Sequence, residues 1–95
     1  MNERAWTFLS NHAHVLVCLA EDPQARQRDI ADRVGITERA VSSIVSDLEA
    51  EGYVRRERVG RRNRYRIMRR GRLRHPLEMH QSVGQLLDAV MSNGT

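Results

Sequence analysis

Lysine is absent from this 95-residue chain, and it holds a single cysteine, four aromatic residues and two prolines. The lone Cys18 cannot close an internal disulfide, which excludes a disulfide-stapled scaffold. It shares an apolar helical face with Val15 and Leu19, so it reads as a small buried hydrophobe. No stretch reaches the ~18 consecutive apolar residues of a membrane span. The run Ala13 to Ala20 fails as an export signal, because Asn11 and His12 precede it, His14 interrupts it, and Glu21 and Asp22 follow at once. A cytoplasmic protein without membrane contact is expected. No Ser/His/Asp or Cys/His set, carboxylate pair in an apolar cleft or Gly-rich phosphate loop is present, so an enzyme is not expected. An apolar content of 40% is ordinary for a globular chain. One small domain of this length has a marginal core unless a partner subunit adds to it, which makes a homodimer the expected state.

What the chain has in excess is arginine. All sixteen basic residues are arginine, and residues 55–74 hold eleven of them against Glu57 alone, a net of +10. The remainder carries five arginines against eleven acids, a net of −6. A GC-rich genome accounts for arginine in place of lysine but not for the clustering. Like charges at this density repel one another unless counterions or phosphates neutralise them, so the block points to a polyanion. It lacks the bulky apolar face that an interfacial membrane helix needs.

The most specific pattern runs from Gln27 to Ser46. Ile30, Ala31 and Val34 share one face of a helix predicted near Gln27 to Val34, and Val41, Ile44, Val45 and Leu48 repeat at helical spacing over a second, Glu38 to Glu51. Gly35 supplies the tight turn between them and Thr37 the N-cap of the second. This is a helix-turn-helix, whose outward positions are Thr37, Glu38, Arg39, Ser42, Ser43 and Ser46. In such proteins that face lies in the DNA major groove.

Upstream, Ala5, Phe8, Leu9, His12, Val15, Leu16 and Leu19 trace a stripe that predicts a helix from Arg4 to Ala20, ended by Glu21-Asp22-Pro23. Trp6 lies just off the stripe and is expected to pack on the core or a partner helix. Gln24 to Arg26 has room only for a brief edge strand. Downstream, Gly52 ends the second helix in a left-handed conformation, and Tyr53 to Arg58 and Asn63 to Ile67 read as strands joined across Val59-Gly60-Arg61-Arg62. Pro76 suits a first helical turn and predicts a final helix to about Met91. Its Leu77, Met79, Val83, Leu86, Leu87, Val90 and Met91 cover more than one face, enough for the core and a second subunit. The Ser92 to Thr95 end is expected to fray.

Helix, helix-turn-helix, basic hairpin and terminal helix, in that order, resemble the winged helix-turn-helix regulators of the MarR and ArsR groups. The residues that carry the resemblance are Arg28 to Thr37, Ala40 to Val54 and the arginine-rich hairpin, about residues 13 to 67. The resemblance implies a mainly α fold with a small β-hairpin: a three-helix core, a wing and a C-terminal dimerisation helix in one domain spanning residues 1–95. It also implies a homodimer joined through helix 1 and the C-terminal helix, with recognition helices in successive major grooves and wings on flanking phosphates or in the minor groove. Metal-sensing ArsR members carry a recognition-helix cysteine pair or a terminal-helix His and acidic set. Here the recognition helix has no cysteine, and His75, Glu78 and His80 do not match that set, so no metal or other cofactor is expected. The chain is shorter than typical MarR proteins, and a dedicated sensing pocket is not expected.

The expected function is that of a sequence-specific regulator of transcription bound to double-stranded DNA, a homodimeric repressor that joins the nucleoid when bound. Arg39 carries the fork that bonds guanine O6 and N7, and Glu38 can accept from cytosine N4. Ser42, Ser43 and Ser46 reach phosphates or closely approaching bases, while Gln27 and Arg28 are placed for phosphates. Arg58, Arg61, Arg62 and Arg64 of the wing complete the set and supply most of the affinity. Two alternatives stand beside this reading. The serine-rich face leaves room for an architectural, nucleoid-type protein with little sequence preference, and the acidic remainder for a winged-helix protein-interaction module.

Overall fold

The computed structural model describes residues 6–91. They form, in chain order, α1 (Asn11–Glu21), α2 (Gln27–Val34), α3 (Glu38–Ala50), β1 (Val54–Val59), β2 (Arg62–Ile67) and α4 (Val83–Met91). The fold is mainly α with one two-stranded antiparallel hairpin, a winged helix.

The turn of the helix-turn-helix follows from two local devices. Gly35 takes φ 87°, a region that side-chain-bearing residues avoid, and the N–H groups of Gly35 and Ile36 both donate to the Ala31 carbonyl, at 2.8 and 3.1 Å. Thr37 Oγ1 then accepts the Ala40 N–H at 3.0 Å and starts α3. A cap of this kind contributes about 1 kcal/mol. Ile30 and Ala31 of α2 and Val41, Ile44, Val45 and Leu48 of α3 are buried in one core with Val15, Leu16, Cys18 and Leu19 of α1. Each large aliphatic side chain fully buried there contributes roughly 1.5–3 kcal/mol. Burial pushes the Cys18 thiol above its ordinary pKa, as suits a packing residue.

α3 passes into the wing almost without slack. Gly52, at φ 80°, donates to Glu49 O at 3.1 Å, and Tyr53 donates to Leu48 O at 2.9 Å, the paired bonds of a Schellman ending. The strand begins one residue later. The register runs from Val54↔Ile67 to Val59↔Arg62, each strand one residue nearer the tip than expected. Gly60 and Arg61 are left as a two-residue loop with φ positive only at Gly60, the type II′ pattern that matches strand twist. Pro23 to Arg26 forms no strand. It touches the sheet through one backbone bond, Tyr65 N–H to Pro23 O at 2.8 Å.

Both terminal helices are shorter than the periodicity predicts. Arg4 and Ala5 lie outside the described residues, residues 6–10 are not helical, and α1 starts at Asn11, where Ser10 Oγ accepts the Ala13 N–H at 3.3 Å. Ser10 itself is extended, so the helix cannot continue back through Leu9 and Phe8 despite their spacing. Trp6 and Phe8 accordingly miss the core: they are 75% and 92% exposed and stack edge to face, centroids 4.9 Å apart.

The last helix starts at Val83 and not at Pro76, because a capping box lies there. Ser82 Oγ accepts the Gln85 N–H at 3.2 Å and Gln85 Oε1 accepts the Ser82 N–H at 2.8 Å. Residues 75–80 turn instead, and their ends are pinned by the Arg72↔Ser82 bridge, Leu73 N–H to Gln81 O at 3.0 Å and Val83 N–H to Gly71 O at 2.7 Å. Leu77 and Met79 are therefore exposed in a turn. α4 packs on α1, burying Val83 and Leu87, while Val90 and Met91 stay exposed. Ser92 to Thr95 lie outside the described residues. Among the described residues, no helix is long and apolar enough to cross a membrane.

Candidate nucleic-acid interface

At about 100° per residue, the core-facing positions of α3 place Arg39, Ser43 and Ser46 at the centre of its opposite face. Thr37, Glu38, Arg39, Ser42, Ser43 and Ser46 are all exposed, but they are not equivalent. The Thr37 hydroxyl is occupied by the cap. Ser42 lies on the flank that carries Glu49, which faces β1 through Arg56, and Glu38 sits well off the centre in the first turn. On the other flank, His12 of α1 meets Asp47, Nε2 to Oδ2 2.8 Å. Arg39, Ser43 and Ser46 thus form the unobstructed strip, with one guanidinium among short hydroxyls.

The arginine block is divided by its contacts. Arg56 forks onto Glu49, Arg66 lies 4.0 Å from Glu57, Arg69 bonds Asp88 at 2.6 Å and Arg74 lies 3.8 Å from Glu51. Four of the eleven thus have carboxylate partners, and Arg69, Arg70, Arg72 and Arg74 follow the hairpin in the connector to α4. The net +10 does not act as one surface. On the hairpin, Arg55, Arg58, Arg61, Arg62 and Arg64 have no carboxylate within 4.0 Å among the described residues, and all five are exposed. Arg58 Nε reaches the carbonyl of Gly60 in its own turn, at 3.3 Å.

Arg62 ties the wing tip to the start of α2, donating to Gln24 O at 2.8 Å. Gln24 to Gln27 and Arg61 to Asn63 line one open depression there, with Tyr65 at its floor. Arg26, the N-cap of α2, makes no side-chain cap bond, so the first-turn N–H groups remain available to an anion. Gln27, Arg61 and Arg62 are brought together in this depression. Arg28 is exposed on α2 outside it, and Arg64 borders a neighbouring one with Arg62 and Asp22 to Gln24. Arg26 is a residue that reading the sequence missed. Its position just ahead of Gln27 was the available signal.

Tyr65 is 3% exposed, and no protein group among the described residues bonds its hydroxyl. Its ring lies beside Arg56, whose guanidinium carbon is 5.8 Å from the ring centroid. Tyr65→Phe is therefore expected to leave stability unchanged or raise it by up to about 1 kcal/mol, because a buried hydroxyl without a partner carries a desolvation cost. Thermal unfolding followed by circular dichroism checks this, and a loss above 1 kcal/mol contradicts it.

Among the described residues, no group of three His, Cys, Asp or Glu side chains could hold a metal ion. His14 Nδ1 bonds Asn11 at 3.2 Å, apart from His12, and His75 Nδ1 accepts the Leu77 N–H at 3.0 Å. Residues 8–67 match the family described as a domain of unknown function (DUF7343). No curated protein matches the sequence. Among solved structures, the chain is similar to the PcaV transcriptional regulator from Streptomyces coelicolor, crystallised in complex with its natural ligand. The two are 26% identical with a TM-score of 0.54, over 87% of this chain and 60% of that one. The chain thus spans less than two thirds of PcaV, and the likeness is to a winged-helix regulator.

Proposed function

The chain belongs to the DUF7343 family, and from that premise and its winged-helix regulator fold we propose that it binds double-stranded DNA with sequence specificity and regulates transcription as a homodimeric repressor of MarR type. The observation that carries this reading is the pairing of charges. Acids hold Arg56, Arg66, Arg69 and Arg74, whereas Arg58, Arg61, Arg62 and Arg64 near the tip have no carboxylate partner among the described residues and are left for phosphates, beside an α3 strip with one base-reading fork. Arg39 reads guanine, Ser43 and Ser46 approach bases or backbone closely, and the α2 start with Gln27 and Arg28 holds phosphates. Thr37, Glu38 and Ser42 border the contact.

The homodimer rests on a different observation. Trp6 and Phe8 ahead of α1, Leu77 and Met79 in the turn before α4, and Val90 and Met91 at its end are all exposed and apolar. So many large apolar side chains on one small domain are what a partner subunit covers. As one domain, the protein then joins its partner through the N-terminal segment, α1 and α4, and acts where its DNA is.

Selection of bound duplexes from a random pool at two salt concentrations tests both halves. The expected result is a two-fold symmetric site with half-sites about 10 bp apart, recovered at both salts. Recovery of unrelated sequences favours an architectural role, and no binding at low salt favours a protein-interaction module. Arg39→Ala is expected to lose roughly 1–3 kcal/mol on the selected site and to relax one base position. Fluorescence anisotropy with single-base variants of that site measures it, and an equal loss on scrambled DNA contradicts the assignment.

A further inference from the structure

Arg56 stands at the start of the most basic segment of the chain, residues 55–74, yet its guanidinium is engaged. Its Nε donates to Glu49 Oε2 at 3.0 Å and its Nη2 to Oε1 at 2.5 Å, a fork on a carboxylate of α3, with the Tyr65 ring beside it. The bond to Glu49 raises the Arg56 pKa above its ordinary value. We infer that Glu49 and Arg56 are positioning residues for DNA recognition: they fix the angle between wing and recognition helix, so that base and phosphate contacts are made together. This rests on the reading of α3 and the hairpin as the DNA-binding surface.

The hairpin needs such a device. Its core anchors, Val54, Tyr65 and Ile67, lie in its base half, where Arg56 pairs with Tyr65 as the last anchored position; no residue from Glu57 to Arg64 is buried, and a two-stranded hairpin is marginal on its own. The β2 side is held by the Pro23 and Gln24 carbonyls, and the Arg56 fork holds the hairpin to α3. A bidentate guanidinium–carboxylate pair resists rotation as a single contact does not. Both side chains are partly exposed, so the pair adds little to global stability. What it contributes is geometry.

Electrostatics makes the inference decidable, because the two roles open to Glu49 predict effects of opposite sign. An anion beside a DNA surface repels phosphate, so deleting an idle Glu49 tightens binding to every duplex. If Glu49 positions the wing, Glu49→Ala weakens binding to the duplex selected from a random pool by about tenfold, the scale of one well-formed base contact, and leaves a scrambled duplex unchanged or tighter. Arg56→Ala should match it on the selected duplex without altering the salt slope, whereas a phosphate-bound arginine lowers that slope by about one. The double variant should be no worse than Arg56→Ala alone. Amide hydrogen exchange in the free protein supplies a readout without DNA: Arg58 to Arg64 should exchange faster in Glu49→Ala at an unchanged melting temperature.

Tighter binding of the selected duplex by Glu49→Ala overturns the inference, as does a slope reduction of about one in Arg56→Ala or unchanged exchange at the wing. If the wild-type chain binds no duplex at low salt, the DNA-binding reading fails instead, and the exchange result still decides whether the pair holds the wing.

Discussion

Replacing Arg58, Arg61 and Arg64 together by alanine is expected to weaken binding to selected and scrambled duplexes alike, on the order of several hundred-fold per protomer at 0.1 M salt if each neutralises one phosphate. The magnitude follows from counterion release. A phosphate contact contributes a slope of about 0.9 in log affinity against log salt, so three lost contacts remove nearly three decades at that concentration. The three are chosen because each is exposed and has no carboxylate partner among the described residues, unlike Arg56. The register puts Arg58 opposite Asn63 and Arg64 opposite Glu57, with Arg61 in the turn, so none of them packs in the core. Folding should survive the change, and a melting curve confirms it before DNA is added. The measurement is a titration of both duplexes over a series of salt concentrations. A loss confined to the selected duplex, or an unchanged slope, shows that the wing reads bases and does not gather phosphates.

Leu19→Ala is expected to destabilise the chain by roughly 3–5 kcal/mol, near the upper end for such truncations, and Leu87→Ala by less. Both side chains are fully buried, so the chemistry removed is the same. The surroundings differ. Leu19 belongs to α1, which packs on α2, α3, β2 and α4, and a void walled by several elements cannot close by moving one of them. Leu87 belongs to α4, which packs on α1 alone among the helices and strands and can settle inward. A total stability of about 5–15 kcal/mol for a domain of this kind makes the Leu19 loss a large fraction of the whole. Urea titrations of the two variants order them, and a larger loss at Leu87 would mean that α4 is the more rigid wall.

Where a structural decision was local, residues close in sequence revealed it. Gly35 and Thr37 mark the turn and the cap, Gly52 marks the end of α3, and Gly60 the tip of the hairpin, each because one residue type satisfies a backbone requirement that few others can. The errors at the two outer helices arose where two local signals competed. Phe8 and Leu9 continue the apolar spacing of α1, but Ser10 offers a cap and the cap prevails. Pro76 suits a first turn, yet Ser82 and Gln85 close a reciprocal pair of bonds that proline cannot offer, so the helix nucleates seven residues later. The fold class was legible for the same reason.

The candidate site was legible only in outline. Exposure of Arg39, Ser43 and Ser46 follows from helical periodicity, which the sequence contains. The state of each arginine does not, because it depends on which carboxylate the folded chain brings within reach. Glu49 is seven residues from Arg56, Asp88 nineteen from Arg69 and Glu51 twenty-three from Arg74, and no spacing rule links those pairs. A count of charge therefore overstated the surface offered to a polyanion.

The turn at residues 75–80 has a consequence for how this chain can vary. Its two ends are bonded to each other through Arg72, Leu73, Gln81 and Ser82, so the loop is closed at its neck before any of its own residues contribute. Added length at Leu77 to Met79 changes the closure entropy by only about 0.6 kcal/mol per doubling and does not shift where α4 begins. An insert here leaves the helix-turn-helix and its wing in their places but falls among the apolar side chains proposed to meet a partner subunit, so a bulky one should keep the chain folded and monomeric.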